Sequence, residues 1–214
     1  MDITMAKSVR EALLAEKTVK NLKDRNFDAY YVETGKDAAA LALSLIGEND
    51  TVSFGGSLTV DALGIINMLY ARGNEIIDRS KAKTREESFE IMRRGLLCDS
   101  FVTGSNAVSA DGILVNVDGT GNRVAAMTYG PRNVIVIVGV NKLTADREAA
   151  HHRARNVAAP TNSQRFDVDT PCKKDGVCHD CKSPTCICSY IVETRMCKPK
   201  GRIKVIIVGE ELGM

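Results

Sequence analysis

Thr51-Val52-Ser53-Phe54-Gly55-Gly56-Ser57-Leu58-Thr59 runs from a short strand through two glycines to a hydroxyl residue placed to cap a helix. A strand that ends in glycine and restarts as a helix leaves bare backbone N–H groups beyond its end, where they suit an anion or a carboxylate. Two later stretches have the same character. Thr103-Gly104-Ser105-Asn106 follows the strand pattern Phe101 to Thr103, and Asp118-Gly119-Thr120-Gly121-Asn122-Arg123 follows Ile113 to Val117. Ligands of open α/β sheets sit beyond the carboxyl ends of the strands. The three turns therefore predict one pocket, on the condition that their strands are neighbours. Its walls are expected to be Gly55, Gly56 and Ser57; Thr103, Gly104, Ser105 and Asn106; and Gly119, Thr120, Gly121, Asn122 and Arg123.

Outward from these turns, strand and helix patterns alternate. Met5, Val9, Ala12, Leu13, Val19 and Leu22 have helical spacing. Phe27 to Val32 reads as a strand, and Asp37 to Ile46 as an alanine-rich helix closed by Gly47. Leu58, Ala62, Ile65, Ile66 and Leu69 form one apolar stripe that ends at Gly73, with Gly64 inside it as a point of close packing. Glu75 to Ile77 is a further strand. Thr84 and Glu87 form a capping box, and Arg93 and Arg94 complement the dipole at the far end of that helix. Ala107 to Ser109 and Ile113 to Val117 flank a hairpin turn at Ala110-Asp111-Gly112. A short helix over Arg123 to Tyr129 stops at Gly130-Pro131. Val134-Ile135-Val136-Ile137-Val138 is apolar throughout, the pattern of a strand covered on both faces, and Thr144 to Val157 reads as a helix. The expected fold is α/β: an open, mainly parallel sheet with helices on both faces.

The style changes after Ala158-Ala159-Pro160. Residues 160–188 carry few apolar side chains and most of the cysteines; Tyr190 to Glu193 and Lys204 to Val208 then read as strands again. The apolar run Val205-Ile206-Ile207-Val208 belongs in the main sheet, so residues 1–214 read as one domain with a Cys-rich insertion at about 160–188.

The chain has 214 residues and a formal net charge of +2, which gives no argument for nucleic acid or a membrane surface. No apolar run approaches the roughly 20 residues that cross a bilayer. The start, Met1-Asp2-Ile3-Thr4-Met5-Ala6-Lys7, lacks the layout of a signal peptide. The expected location is the cytoplasm, where thiols stay reduced.

Cys98, beside Leu96 and Leu97, reads as a small buried apolar residue. The other six cysteines fall between Cys172 and Cys197, with Cys178 and Cys181 in a Cys-x-x-Cys pair. That spacing lets two thiolates hold one ion or one cluster edge. A loop this polar gains little from burial, whereas metal–thiolate bonds offset its ordering entropy. The expected ligands are Cys172, Cys178, Cys181 and Cys188, with Cys186 able to replace Cys188, and the bound group is zinc or an iron–sulfur cluster. Free thiols and disulfides are the alternatives.

Arg123 is suited to bidentate pairing with a carboxylate or phosphate. Arg79, Lys81, Lys83 and Arg85 follow the Glu75–Ile77 strand as an exposed basic loop, and His151 and His152 read as surface residues. Asp111 and Asp118 read as turn residues before catalytic bases. There is no Gly-x-Gly-x-x-Gly after the first strand and no Walker A loop, so no dinucleotide site is indicated.

With these residues in view, the chain resembles the LUD family of lactate-utilisation domain proteins. The likeness rests on Ser53-Phe54-Gly55-Gly56-Ser57-Leu58-Thr59, on Val102-Thr103-Gly104-Ser105-Asn106-Ala107-Val108 and on Asn133-Val134-Ile135-Val136-Ile137-Val138-Gly139-Val140-Asn141-Lys142. It covers roughly residues 5–157 and 203–213. It implies the fold of sugar-phosphate isomerases and coenzyme A transferases, with a ligand cleft at the strand ends. It implies support for oxidation of L-lactate or a related hydroxy acid, a small anionic substrate, and other lactate-utilisation subunits as partners. An isomerase- or transferase-like enzyme acting on a phosphorylated or coenzyme A-linked molecule, and a non-catalytic ligand- or redox-sensing subunit, are the alternative functions. Related domains often carry Ala-Glu-Thr-Gly after the Thr-Gly turn. Here Ser109-Ala110-Asp111-Gly112 stands in that place, and Ala110 cannot act as a glutamyl nucleophile.

Overall fold

The computed structural model describes residues 2–214. In chain order the strands are β1 (Asp28–Val32), β2 (Thr51–Phe54), β3 (Glu75–Ile77), β4 (Ser100–Gly104), β5 (Ala107–Ser109), β6 (Leu114–Asp118), β7 (Asn133–Gly139), β8 (Leu143–Thr144), β9 (Tyr190–Thr194) and β10 (Ile203–Val208). The helices are α1 (Ile3–Asp24), α2 (Gly35–Ser44), α3 (Leu58–Ala62), α4 (Ile65–Arg72), α5 (Arg85–Arg94), α6 (Asn122–Thr128), α7 (Arg147–Arg153), α8 (Ala159–Ser163) and α9 (Pro171–Asp175).

The main sheet has six strands in the order β1-β10-β7-β4-β2-β3, all parallel. Its centre follows from the apolar run of β7. Val134, Val136 and Val138 point to one face, into a core shared with Ala15 and Leu22 of α1 and with Val205 and Ile207 of β10. Ile135 and Ile137 point to the other face, against Ala38 and Ala42 of α2, Val60 of α3 and Leu69 of α4. Since side chains alternate along a strand, an unbroken apolar run is what two covered faces require. The run Val205–Val208 does return to this sheet, and β10 lies between β1 and β7.

A second sheet has four strands in the order β8-β5-β6-β9. The expected hairpin is its centre: β5 pairs antiparallel with β6 through Ala107↔Val115 and Val108↔Leu114. β9 adds antiparallel to β6. The strand at Tyr190 therefore joins this sheet, with the cysteine segment looping from α8 to it.

Three local expectations need correction. The stripe from Leu58 to Leu69 is two helices, α3 and α4, because Gly64 takes φ 65 between them. A Cβ built on Gly64 meets nothing within 4 Å, so backbone conformation, not close packing, selects glycine there. The helix after β8 does not end near residue 157. It continues from α7 through a π-helical turn at Ala154–Ala158 into α8, and Pro160 follows that turn inside the continuous helix. The apolar spacing of α1 is only half used. Ala15, Thr18 and Leu22 are buried, whereas Met5, Val9 and Leu13 are exposed.

Candidate functional site

Chain order along the main sheet reverses between β2 and β4. β2 leads outward to β3, the chain then crosses back to β4, and later strands continue in the opposite direction through β7 to β10. Such a switch point opens a crevice at the carboxyl ends of the two strands. A cavity of ≈ 420 Å³ lies there.

The cavity joins residues from all three glycine turns: Gly56 and Ser57 after β2; Gly104, Ser105 and Asn106 after β4; and Gly119, Thr120, Asn122 and Arg123 after β6. β2 and β4 are neighbours, as the shared pocket requires. β6 is not in the main sheet, so the third turn reaches the cavity from the second sheet. Gly55, Thr103 and Gly121 stand behind the wall. Gly55 is buried against Arg123 and Thr103, and Gly121 packs on the ring of Tyr190.

Much of the polar chemistry of these turns is spent on the protein itself. The Thr103 hydroxyl donates to the Gly104 carbonyl (3.2 Å), and the Ser105 hydroxyl to that of Ala107 (3.0 Å). Asn106 Oδ1 accepts from the Val117 amide (2.9 Å). Ser57 Oγ is the N-cap of α3. Asp118 Oδ1 and Oδ2 accept from the amides of Gly121 (3.0 Å) and Val124 (3.2 Å), a turn-residue role as expected.

Arg123 is a clamp. Its Nη1 donates to Gly104 O (3.2 Å) and Asn116 Oδ1 (2.6 Å). Its Nη2 donates to Asn106 Oδ1 (3.0 Å) and Val117 O (2.7 Å), and Nε lies 3.6 Å from Asp118 Oδ2. The Nη hydrogens thus tie the second turn to the end of β6, and the fork expected to grip a ligand is occupied. Burial pulls the Arg123 pKa down, and Asp118 opposes that shift.

Three other cations face the cavity. Arg79 is the one member of the basic loop that reaches it. Its Nη2 would lie 2.7 Å from a Cβ on Gly56, so the bare backbone at Gly56 makes room for the guanidinium. Lys81 instead sits over the Tyr70 ring, 4.4 Å from its centroid. Arg165, on the far rim, accompanies Asn162 and Phe166. Lys142, from the 3-10 turn after β7, is only 6% exposed. Its Nζ donates to Thr59 Oγ1 (2.8 Å), and no carboxylate lies within 4.0 Å among the described residues. Desolvation, reinforced by Arg153 and Arg123, lowers the Lys142 pKa to about 8. Lys142 was the omission of the sequence analysis. Its signal is a lysine three residues beyond the end of the central apolar strand, where a solvent-facing side chain has little room.

The cysteine segment forms the next compartment. Cys172, Cys178, Cys181, Cys186 and Cys188 line one small cavity, and Val117 and Ile187 line both this cavity and the larger one. Burial first, then the neighbouring Cys186, Cys172 and Cys178, push the Cys188 thiol up to about 12. Hydrogen bonds from Ser183 pull Cys181 the other way. His179 turns to Asp175 Oδ2 (2.6 Å). Among the described residues no three His, Cys, Asp or Glu side chains are already arranged around one ion position. The donor set of soft thiols nevertheless suits zinc or an iron–sulfur cluster. Cys197 lies apart from them; it is buried, and its Sγ accepts from the Ile203 amide (3.3 Å). Cys98 is buried as expected, and burial raises its pKa to about 11.

A family model described as the LUD domain matches residues 15–208. The chain belongs to the LUD domain family. A structure of a DUF162 family protein from Deinococcus radiodurans aligns with this LUD domain over 92% of the chain and 98% of its own, at 13% identity and TM-score 0.54. D-ribose-5-phosphate isomerase in complex with phospho-erythronic acid aligns over 51% of the LUD chain and 53% of its own, at 23% identity and TM-score 0.34. eIF2B beta from Chaetomium thermophilum aligns over 53% and 44%, at 17% identity and TM-score 0.34. Among curated proteins no sequence match was found. No helix among the described residues is long and apolar enough to cross a membrane.

Proposed function

We propose that this LUD protein binds a small organic anion at the β2/β4 switch point and supports oxidation of L-lactate or a related hydroxy acid to the keto acid. One observation carries the reading. Arg79, Lys142 and Arg165 face a single cavity, while the one carboxylate side chain that lines it among the described residues, Asp118, is held by backbone amides and Arg123. Lys142 is buried and Arg79 half-buried, with no carboxylate partner for either within 4.0 Å among the described residues, and exposed Arg165 adds to the same field; such cations favour an anionic guest. Cys172, Cys178, Cys181 and Cys188 are the residues to hold zinc or an iron–sulfur cluster, with Cys186 able to replace Cys188. A cluster would supply one-electron acceptance; zinc would supply folding energy alone. Val117 and Ile187 separate the two compartments, which supports a linked role for them. Other lactate-utilisation subunits are the proposed partners, and the cytoplasm the proposed location.

The test pairs ligand-induced thermal stabilisation with metal analysis and an absorption spectrum of anaerobically purified protein. L-lactate and pyruvate are expected to raise the midpoint in wild type. Gly56→Val, which drives a side chain into Arg79, is expected to abolish that response in a folded protein. An undiminished response in the variant overturns the cavity as the binding site. Absence of iron and zinc, with the loop thiols titrating freely, overturns the metal assignment. A second reading, a phosphorylated substrate, draws on the number of cations, which exceeds the needs of one monocarboxylate. Stabilisation by a sugar phosphate but not by lactate selects it.

A further inference from the structure

Lys142 has an environment that simple anion binding does not require. Its amine is held inside the domain by a single hydroxyl partner, the buried Thr59, and lines the same cavity as Arg79. An ammonium that only attracted a guest would serve as well at the rim, where Arg165 already sits and where hydration keeps it charged. Inside, desolvation and the nearby guanidinium groups of Arg153 and Arg123 disfavour the charge. A desolvated lysine among other cations is the arrangement that makes an amine nucleophilic. Two of its N–H directions are left over once Thr59 is satisfied.

We infer that Lys142 is a nucleophile, and that the cavity takes a small anion bearing a ketone or aldehyde, which condenses with the Lys142 amine. The lone pair of Nζ attacks the carbonyl carbon, and the carbonyl oxygen takes up a proton to give a carbinolamine. Loss of that oxygen as water leaves a C=N bond between ligand and Lys142. The overall change is amine plus carbonyl to imine plus water, with no oxidant or reductant consumed. Arg79 has no carboxylate partner within 4.0 Å among the described residues and is placed to hold the charged end of the guest. Thr59 keeps the amine at the cavity wall. The inference rests on the anion-binding reading above and narrows its ligand to carbonyl compounds, which include the keto acid product of a hydroxy-acid oxidation.

The experiment incubates the full chain with pyruvate, and separately with glyceraldehyde 3-phosphate, in the presence of sodium cyanoborohydride. Borohydride-type hydride converts an imine to a stable secondary amine, which peptide mass mapping locates. At neutral pH an amine with a pKa near 8 has about three-hundred-fold more neutral form than an ordinary lysine. The reduced adduct is therefore expected on Lys142 at least about ten-fold above any other lysine, saturating with ligand and suppressed by excess L-lactate. Lys142→Met is expected to remove the adduct. Should that variant not fold, Arg79→Gln keeps the lysine and is expected to weaken trapping by raising the ligand concentration required. Thermal stabilisation by the same probes is recorded alongside. Stabilisation without an adduct on Lys142, or labelling spread evenly over the lysines, overturns the nucleophile and leaves the anion site standing. Neither stabilisation nor an adduct with either probe overturns both.

Discussion

At the scale of single residues, Arg123 and Lys142 divide the positive charge of the cavity between structure and chemistry. Arg123 lies at the cavity wall with every Nη hydrogen engaged, so its removal strands the partners it satisfies. Arg123→Met is expected to cost about 3 kcal/mol in urea unfolding, in the range for removing one partner of a buried ionic network. Lys142 makes the opposite contribution. Its folded pKa, about 8, lies below the ordinary 10.5. Below the folded value both states carry the ammonium, and the fold bears the whole cost of desolvating it. Between the two values the unfolded chain holds a proton that the folded chain has released, so stability rises with pH through that window. The unfolding free energy of wild type is expected to gain on that of Lys142→Met by up to about 3 kcal/mol as pH rises from neutral to 10.5. A difference that stays flat across the window refutes the assignment, since titrations common to both proteins cancel. Arg123 stood out in the sequence through its place in a glycine turn, but its role did not. Nothing local distinguishes a guanidinium that grips a guest from one that grips Gly104, Asn106, Asn116 and Val117; those partners come from separate segments.

At the scale of elements, the legible parts were those whose surroundings match their own periodicity. The run Val134–Val138 needs two apolar faces and has them; the hairpin around Ala110-Asp111-Gly112 is closed by neighbours in sequence. The stripe of α1 misled because helical spacing shows that a face exists but not what covers it. Leu13 is 62% exposed, whereas Leu22, on the same helix, is fully buried beneath the main sheet. Leu22→Ala is expected to cost about 3 kcal/mol in chemical denaturation. Leu13→Gln is expected to change stability by no more than about 0.5 kcal/mol. Equal penalties would mean that the outer half of α1 has a partner surface. The split of α3 from α4 was hidden for another reason. The apolar residues on either side of Gly64 keep helical spacing in the sequence, and a left-handed residue leaves no mark on composition.

At the scale of the whole molecule, the shared pocket was foreseeable but its construction was not. Two of its walls come from adjacent parallel strands and the third from a separate antiparallel sheet. That sheet also receives β9, the first strand after the cysteine segment, so the thiols hang between α8 and a strand paired with β6. The segment has little apolar support of its own. Replacing Cys178 and Cys181 by serine is expected to leave cooperative unfolding of the main sheet intact while limited proteolysis cuts within residues 167–189 first. Such a nicked chain is expected to stay associated under native conditions, because β9 and β10 are held in separate sheets. Early cleavage within α1 or α5 instead would show that the thiol segment does not depend on its cysteines for order.

The position of β10 sets a condition on biosynthesis. β1 and β7, made early and midway, are joined only through residues 203–208. While a ribosome is still elongating toward that stretch, β1 lacks any strand to pair with, and β7 presents an open hydrophobic edge. Topologies that close through a strand far along the chain from its partners fold slowly and stay exposed to mispairing. Emergence of residues 203–208, rather than of the first half of the domain, is therefore the moment at which this sheet can close.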